Sequence, residues 1–410
     1  MAALSAKDLP LPVSEYFAEA GSTDRFSKQS DGLTQLGFGL FGEIGGLLAA
    51  LKKASRDKLL GSETQVAGEE IGDALWYLVS LAHHGGVEPD ALAATCMLSL
   101  RNRLSEAPLR PGKGVTLEEI DSLVELHSTE IEGQREALLR SLAASCGTLI
   151  STSQEEFKIW PPEQVATNLG DLMAQLALVA RCFKLGLAAV ARENLIKIKD
   201  RWPGDDLEYC RLFDDTNCEE YERFPRQFEI EFIPRQVRDR KVVVQRLNGV
   251  NIGDPLTDNS NVPDGYSYHD VFHLSYVAHL GWSPVIRALF KLKRKSRPKI
   301  DENEDGARAI VIEEGIATWI FNHAKERGDF FKGVPIGALE FGLLKQVRSM
   351  VKGYEVSECP SWQWERAILK GFEVFRELQK HKRGIVKVDM ERRSLDFVPT
   401  QLTGGQHDTN

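Results

Sequence analysis

Several common signatures are absent from this sequence of 410 residues. Its six cysteines form no CxxC pair, which argues against a zinc ribbon or a disulfide framework and predicts reduced, mostly buried thiols. The formal net charge is −9, so a general nucleic-acid binder is not expected. The P-loop of nucleotide-binding proteins and the GxSxG elbow of serine hydrolases are missing as well.

Targeting and membrane signals are also lacking. The amino terminus, MAALSAKDLPLP, has neither the basic nor the apolar region of a signal peptide, and no uninterrupted apolar run long enough for a bilayer is evident. The sequence therefore predicts a cytoplasmic protein without stable association with nucleic acid or membrane. With 42% hydrophobic residues the chain can bury a sizeable core, and its length indicates two or three domains.

Helical periodicity is the dominant pattern that is present. From residue 30 to 205, apolar residues repeat at i, i+3 and i+4 almost throughout, which predicts helical bundles. One short stretch, 241–246 (KVVVQR), has strand character, and helical patterning resumes after the loop 248–265. The expected fold class is all-α, with a mostly helical carboxy-terminal domain.

Two of the predicted helices carry carboxylates among their core positions. Glu43 lies in the first helix, and Glu69, Glu70 and Asp73 lie in the second. Glu70 and Asp73 are three positions apart and share one helical face, so the two helices can hold oxygen ligands around a divalent cation. The alternative interpretation is that these are ordinary surface acids of amphipathic helices.

The residues around these acids have a characteristic order. The set comprises Tyr16, Thr23-Asp24, Gln35, Gly39-Leu40, Gly42-Glu43, Gly45, the run from Glu69 to Asp73, and Trp76-Tyr77. It resembles the MazG-type, all-α nucleoside triphosphate pyrophosphohydrolases, whose pattern is ExxE, a spacer, then ExxD. Glu43 matches the first position of that pattern, and Glu70 and Asp73 match the last two. Gly46 stands where the second Glu of the family is expected.

The resemblance implies a reaction and a set of ligands. The reaction is Mg²⁺-dependent hydrolysis of an NTP or dNTP to the monophosphate and pyrophosphate, with Mn²⁺ as an alternative ion. Glu43, Glu70 and Asp73 would hold the metal, and Glu69 would orient or deprotonate the attacking water. Because Gly46 offers no carboxylate, the alternative is a catalytically degenerate nucleotide-binding sensor or scaffold.

Two groups of cationic and amide side chains are candidates for phosphate binding. They are Lys52, Lys53 and Arg56 at the end of the first acidic helix, and Asn194, Lys197 and Arg201 in ARENLIKIKDRWP. The second segment is similar to the closing helix of the family, and its three residues fall on one helical face. For both groups the alternative is a solvated basic helix end that the helix dipole favours.

A shift of 98 positions suggests an internal duplication. It places Gly72-Asp73 on Gly170-Asp171 and Arg103 on Arg201, whereas Glu70 falls on Asn168. The second copy therefore keeps one acid of the set, and the pair would form an intrachain pseudo-dimer; a homodimer is left open. The predicted domains are an active-type unit (1–110), a degenerate unit (111–205), a connector (206–245), a helical domain (246–400) and a disordered tail (401–410).

The carboxy-terminal region contains a second candidate site. His269 and His273 are four positions apart with Asp270 beside the first, and Glu313 and Glu314 follow in a later apolar helix. Two histidines on one helical face with a carboxylate from another helix can bind a transition metal or form a buried hydrogen-bonded network. This region also resembles a helical domain appended to some MazG-like proteins, and that resemblance implies no particular activity.

Overall fold

The computed structural model describes residues 9–26, 29–57, 63–108, 112–204, 207–216, 218–327 and 329–400, and it omits the side chains of 53–57. It divides the chain into two compact units, Met1–Lys199 and Asp200–Asn410. The predicted boundary at residue 110 lies inside the first unit, and the one at 205 lies close to the division. The predicted disordered tail, 401–410, falls outside the described residues.

The described part of the N-terminal unit is helical. Its helices are α1 (Val13–Ser22), α2 (Gly32–Asp57), α3 (Glu63–His84), α4 (Pro89–Arg103), α5 (Leu117–Glu125), α6 (Ser128–Gly133), α7 (Arg135–Ile150), α8 (Gln154–Ile159), α9 (Pro162–Cys182) and α10 (Leu187–Arg201), which ends in the second unit. Helix α9 contacts α3, α4 and α7 and is buried along most of its length. Leu169, Met173 and Val179 on α9 are fully enclosed, so this helix forms the centre of the unit.

Two helical hairpins of this unit, α3–α4 and α9–α10, correspond closely. Helices α4 and α10 both span 15 residues and begin 98 positions apart. The turns that precede them contain a left-handed residue at equivalent places, Gly86 with φ of 65° and Lys184 with φ of 59°. Non-glycine residues adopt this conformation only occasionally, so the two turns share an uncommon geometry, and the internal duplication stays a prediction.

The packing between these hairpins is reciprocal. A Cβ atom placed on Gly72 of α3 would lie 3.2 Å from the Cβ of Asn194 on α10. A Cβ atom placed on Gly170 of α9 would lie 2.1 Å from Thr95 Oγ1 and 2.9 Å from the backbone nitrogen of Cys96 on α4. Gly72 and Gly170 are 98 positions apart in the sequence, and so are Cys96 and Asn194. The approach of Asn194 to Gly72 and that of Cys96 to Gly170 therefore join equivalent positions. The intrachain pairing of two duplicated units stays a prediction.

One stretch of α2, Gly32–Lys52, has the length and composition of a membrane span, contrary to the expectation from the sequence. The bent pair α9–α10 passes the same test when both helices are taken together. This stretch is 22% buried, and α2 packs against α3 and α7. The cytoplasmic location stays a prediction.

The C-terminal unit combines helices with a five-stranded antiparallel sheet of order β3-β2-β1-β4-β5. The strands are β1 (Gln227–Val237), β2 (Arg240–Leu247), β3 (Val250–Leu256), β4 (Gly384–Asp389) and β5 (Ser394–Pro399). The helices are α11 (Asp270–Leu280), α12 (Pro284–Phe290), α13 (Pro298–Asn303), α14 (Ala307–Glu326), α15 (Phe341–Met350) and α16 (Ser361–His381). All residues of α11 are buried, and α11 packs against α16.

The predominantly helical prediction is confirmed, but the sheet is larger than the single stretch 241–246. Strand β1 lies within residues 206–245, which the sequence analysis assigns to a connector. Phe228, Ile230 and Phe232 of β1 are buried, and charged or polar residues alternate with them. This period of two is the pattern of a half-buried strand, so β1 belongs to the core of the unit rather than to a connector.

Candidate functional site

Glu43 and Glu70 bring two carboxyl groups into contact where α2 packs along α3. Both side chains are half-buried, and the Glu43 carboxyl group is hydrogen-bonded to that of Glu70. Burial, this hydrogen bond and the nearby charge of Asp73 raise the pKa of Glu43 to about 8. At neutral pH the pair therefore holds one proton between two acids, because two adjacent charged carboxylates repel each other.

Asp73, one turn after Glu70, is held by residues of α10. Asn194 Nδ2 donates a hydrogen bond to Asp73 Oδ1 at 3.1 Å, and the Lys197 ammonium pairs with Oδ2. The buried Tyr16 hydroxyl donates to Asn194 Oδ1 at 2.9 Å and so fixes the orientation of the amide. Two residues predicted to bind phosphate therefore lie beside the acidic cluster and contact one of its members.

Gly46 faces the same cluster from α2. A Cβ atom at this position would lie 2.6 Å from Glu70 Oε2, which is closer than non-bonded atoms approach. Position 46 is thus directed at the Glu70 carboxylate. With glycine here, the cluster contains the three acids Glu43, Glu70 and Asp73.

The remaining predicted residues of the acidic site are placed differently. Glu69 is half-buried on α3, one turn before Asp73, and Lys52 is exposed near the end of α2. The side chains of Lys53 and Arg56 lie outside the described residues. Arg201 lies in the C-terminal unit, where it donates to the Leu339 carbonyl at 2.7 Å. Its predicted role in phosphate binding stays a prediction.

Tyr77 is a neighbour of the site that the sequence analysis does not single out as a site residue. A Cβ atom on Gly39 would overlap the Tyr77 ring at 2.2 Å, so the glycine makes room for the aromatic side chain between α2 and α3. Burial and the charges of Glu43 and Asp73 raise the pKa of Tyr77. Gly39 and Tyr77 are both among the residues that resemble the MazG-type enzymes. Their joint presence in that set is the sequence signal that indicates this contact.

Asp171 is the counterpart of Asp73 in the second hairpin, and its surroundings differ. Arg103 Nη2 bonds both of its carboxylate oxygens, at 2.8 and 2.9 Å, and Ser99 donates a further hydrogen bond. Burial favours a higher pKa, but the hydrogen bonds from Ser99 and Arg103 outweigh it and hold the pKa of Asp171 below its usual value. Thr167 and Asn168 precede it where α3 has two glutamates. The Asp171 carboxylate is thus satisfied by protein groups.

The second candidate site centres on His273 in the C-terminal unit. Its Nδ1 atom lies 2.8 Å from Glu313 Oε1, and both side chains have no exposed surface. The Ser283 hydroxyl (2.6 Å) and the Val285 backbone N–H (2.8 Å) donate to the same carboxylate. Although burial alone would lower it, Glu313 and Glu314 raise the pKa of His273 well above the ordinary value.

His269 lies beside His273 and completes this cluster. Its Nδ1 atom is 2.8 Å from the Tyr266 carbonyl oxygen, and its ring stacks on Tyr266 with 4.3 Å between centroids. Its Nε2 atom lies 3.1 Å from Asp270 Oδ1. Ligand atoms of His269, His273 and Glu314 all lie within 4.8 Å of one another. Among the described residues, no other group of three His, Cys, Asp or Glu side chains is arranged in this way. The five predicted residues of this site are therefore brought together.

Comparison with known proteins identifies the C-terminal part of the chain. Residues 208–401 match the family model of the MazG C-terminal domain. This range contains the sheet, helices α11 to α16 and the histidine cluster. No curated protein and no solved structure matches the chain.

Proposed function

We propose that this chain, which is a MazG-type protein by its C-terminal domain, is a Mg²⁺-dependent nucleotide pyrophosphohydrolase. It would convert an NTP or dNTP to the monophosphate and pyrophosphate. The observation that supports the proposal is the contact between the Glu43 and Glu70 carboxyl groups beside Asp73. Two carboxylates in contact repel each other unless they share a proton, and this repulsion destabilises the site. Binding of a divalent cation would remove the repulsion.

The donor atoms at this place suit Mg²⁺. They are carboxylate oxygens from two packed helices, and Mg²⁺ is a hard ion that prefers oxygen and usually retains several waters. Glu43, Glu70 and Asp73 would hold it. When bound, the ion would neutralise phosphate charge and lower the pKa of a water molecule.

Residues of α10 would prepare the phosphate side of the site. The Lys197 side chain is 29% exposed and pairs with Asp73 across the helix interface. Once Asp73 turned to the metal, the ammonium group could move to a phosphate oxygen, because a lysine stem is flexible. Asn194 would stay in place through its bond with Tyr16 and continue to orient Asp73. Glu69 is our candidate for the group that orients or deprotonates water.

The alternative is a nucleotide-binding sensor or scaffold without turnover. Its support is Gly46, which supplies no carboxylate although the position faces Glu70. In that case Mg²⁺ and nucleotide would bind, and pyrophosphate would not be released.

The test is pyrophosphate release by the full chain with Mg²⁺ and a panel of NTPs and dNTPs, with the monophosphate product identified. Glu70→Gln should lower turnover by about 100-fold or more, because it removes a charged metal ligand. Asp73→Asn should have a similar effect. Asp171→Asn is the matched control, because Asp171 is the counterpart of Asp73 in the second hairpin, 98 positions later, and lies outside the proposed site. Turnover that survives Glu70→Gln and Asp73→Asn would refute this site, and nucleotide binding without turnover would favour the sensor.

A further inference from the structure

We propose that His269, His273 and Glu314 form a binding site for a divalent transition-metal ion of the Zn²⁺ class. The site lies within the C-terminal unit and uses none of the residues of the acidic cluster. It therefore stands or falls independently of the pyrophosphohydrolase proposal.

The spacing of the donor atoms is close to that of a zinc site. Glu314 Oε2 lies 3.5 Å from His273 Nε2 and 4.0 Å from His269 Nε2. Tetrahedral Zn²⁺ with bonds of about 2.0–2.1 Å holds its ligand atoms roughly 3.3 Å apart. The Glu314 side chain is 39% exposed, so it can move closer to both nitrogens, while the two nitrogens themselves lie within 4.8 Å of each other.

The two imidazole rings are held in the orientation that metal binding requires. His273 Nδ1 faces the Glu313 carboxylate at 2.8 Å, and His269 Nδ1 faces the Tyr266 carbonyl oxygen at 2.8 Å. Each acceptor is best satisfied by an Nδ1–H donor, so Nε2 is the nitrogen of each ring that faces the carboxylates of the cluster, Asp270 for His269 and Glu314 for His273, and that would bind the ion once deprotonated. A carboxylate or carbonyl behind the ring is the usual support of a metal-binding histidine.

Glu313 is built as such a support. It is completely buried, and its two oxygens accept bonds from the Ser283 hydroxyl, the Val285 N–H and His273. A buried carboxylate is costly unless its charge has a purpose or a partner. Here three donors fix it behind one ring nitrogen, so it is a positioning residue for His273.

The contacts of His273 Nε2 are weak in the metal-free structure. This atom is buried, and within the described part of the chain it makes no hydrogen bond that meets the usual geometry. Buried polar atoms are almost always bonded, so an exception needs an explanation. The nearest carboxylate oxygen, Glu314 Oε2, lies 3.5 Å away, and a metal ion bound between the three side chains would replace this long contact with a direct bond to Nε2.

The donor set also limits the ion. Two imidazole nitrogens and one carboxylate suit Zn²⁺, Fe²⁺, Co²⁺ or Ni²⁺, whereas Mg²⁺ and Ca²⁺ prefer oxygen donors alone. Three protein ligands leave a fourth position, and the partly exposed Glu314 places that position toward solvent. A water molecule would occupy it, as in zinc sites that activate water.

The experiment is titration of chelator-treated full chain with Zn²⁺ in the presence of saturating Mg²⁺, which keeps the acidic cluster occupied by its own ion. Calorimetry should give one tight Zn²⁺ site per chain, and Co²⁺ should produce the visible absorption of a site with nitrogen ligands. Glu314→Gln should weaken Zn²⁺ binding about 10- to 100-fold. The substitution is conservative and lies at a partly exposed position, so folding is preserved, and circular dichroism checks this.

His323→Gln is the matched control because His323 lies on the same helix as Glu314 and pairs with Glu340 at 3.1 Å. Zn²⁺ affinity should be unchanged by it. Glu313→Gln should weaken binding about 10- to 100-fold without changing the stoichiometry. Equal Zn²⁺ affinity of the unaltered chain and Glu314→Gln would overturn the proposal, as would displacement of the ion by Mg²⁺.

Discussion

The carboxyl groups of Glu43 and Glu70 are hydrogen-bonded to each other across α2 and α3. An acid pair of this kind makes the site sensitive to protons and to cations, since either one removes the repulsion between the carboxylates. The position of Asp73 beside the pair, with Lys197 and Asn194 behind it, extends this charge balance to α10.

The first prediction concerns the stability of the metal-free protein as a function of pH. The pKa of Glu43 is raised from 4.5 to about 8, so between these values the folded chain holds a proton that the unfolded chain releases. The free energy of unfolding must then fall as the pH rises through this window. Thermal melting in a chelator should show this decline, and Glu43→Gln, which cannot ionise, should flatten it.

Glu136→Gln serves as the control for the pH experiment. Glu136 is an acid of the same unit whose side chain is 81% exposed, so its removal should leave the slope unchanged. Added Mg²⁺ should raise the melting temperature most at the alkaline end. An identical slope for Glu43→Gln and the unaltered chain would contradict the assignment.

The second prediction concerns Gly46. Gly46→Ala puts a methyl group where only 2.6 Å separates it from Glu70 Oε2, so the Glu70 carboxylate must shift. We expect a loss of turnover of up to about 100-fold, because misplacement of a metal ligand by an ångström is costly. The same change should not unfold the protein, since alanine favours a helix interior by about 1 kcal/mol over glycine.

Gly46→Glu tests the same position in the opposite sense. It adds the carboxylate that the family pattern has there, so Mg²⁺ affinity measured by calorimetry should exceed that of Gly46→Ala. If both variants bind Mg²⁺ as the unaltered chain does, position 46 does not face the metal.

The third prediction compares two lysines of α10. Lys197→Met removes the ammonium group beside Asp73, and we expect a higher KM for the nucleotide and a lower kcat. Lys199 pairs with Glu19 at 2.9 Å on the surface, and Lys199→Met should change stability by less than about 1 kcal/mol and leave turnover intact. Steady-state kinetics of both variants, compared with the unaltered chain, test this prediction. Equal changes of KM and kcat in the two variants would show that Lys197 has no particular role in the site.

Much of the acidic site could be predicted because helical spacing alone places Glu70 and Asp73 on one face. The contact of Lys197 and Asn194 with Asp73 was not predictable in detail, since it depends on how α10 packs against α3. Arg201 shares their helical face in sequence, yet it belongs to the C-terminal unit, where its guanidinium donates to the Leu339 carbonyl. Helical periodicity in the sequence predicts which face of a helix a residue occupies. It does not predict where along the helix one compact unit ends and the next begins.

The sheet of the C-terminal unit was missed for a different reason. The alternation of Phe228, Ile230 and Phe232 with polar residues is a clear strand pattern. Nearby acidic residues and the short apolar run made the segment look like a connector. Its partner β4 lies more than 150 positions away, and pairing over such a distance leaves no local trace in the sequence.

The measurement that tests the central claim most directly is a crystal structure of the full chain with Mn²⁺ and a nonhydrolysable nucleoside triphosphate, with the metal located by anomalous scattering. We expect an ion coordinated by Glu43 and Glu70, with the phosphates on the side of Lys197. An ion that is found only at His269 and His273, with nothing within coordination distance of Glu43, would contradict the account.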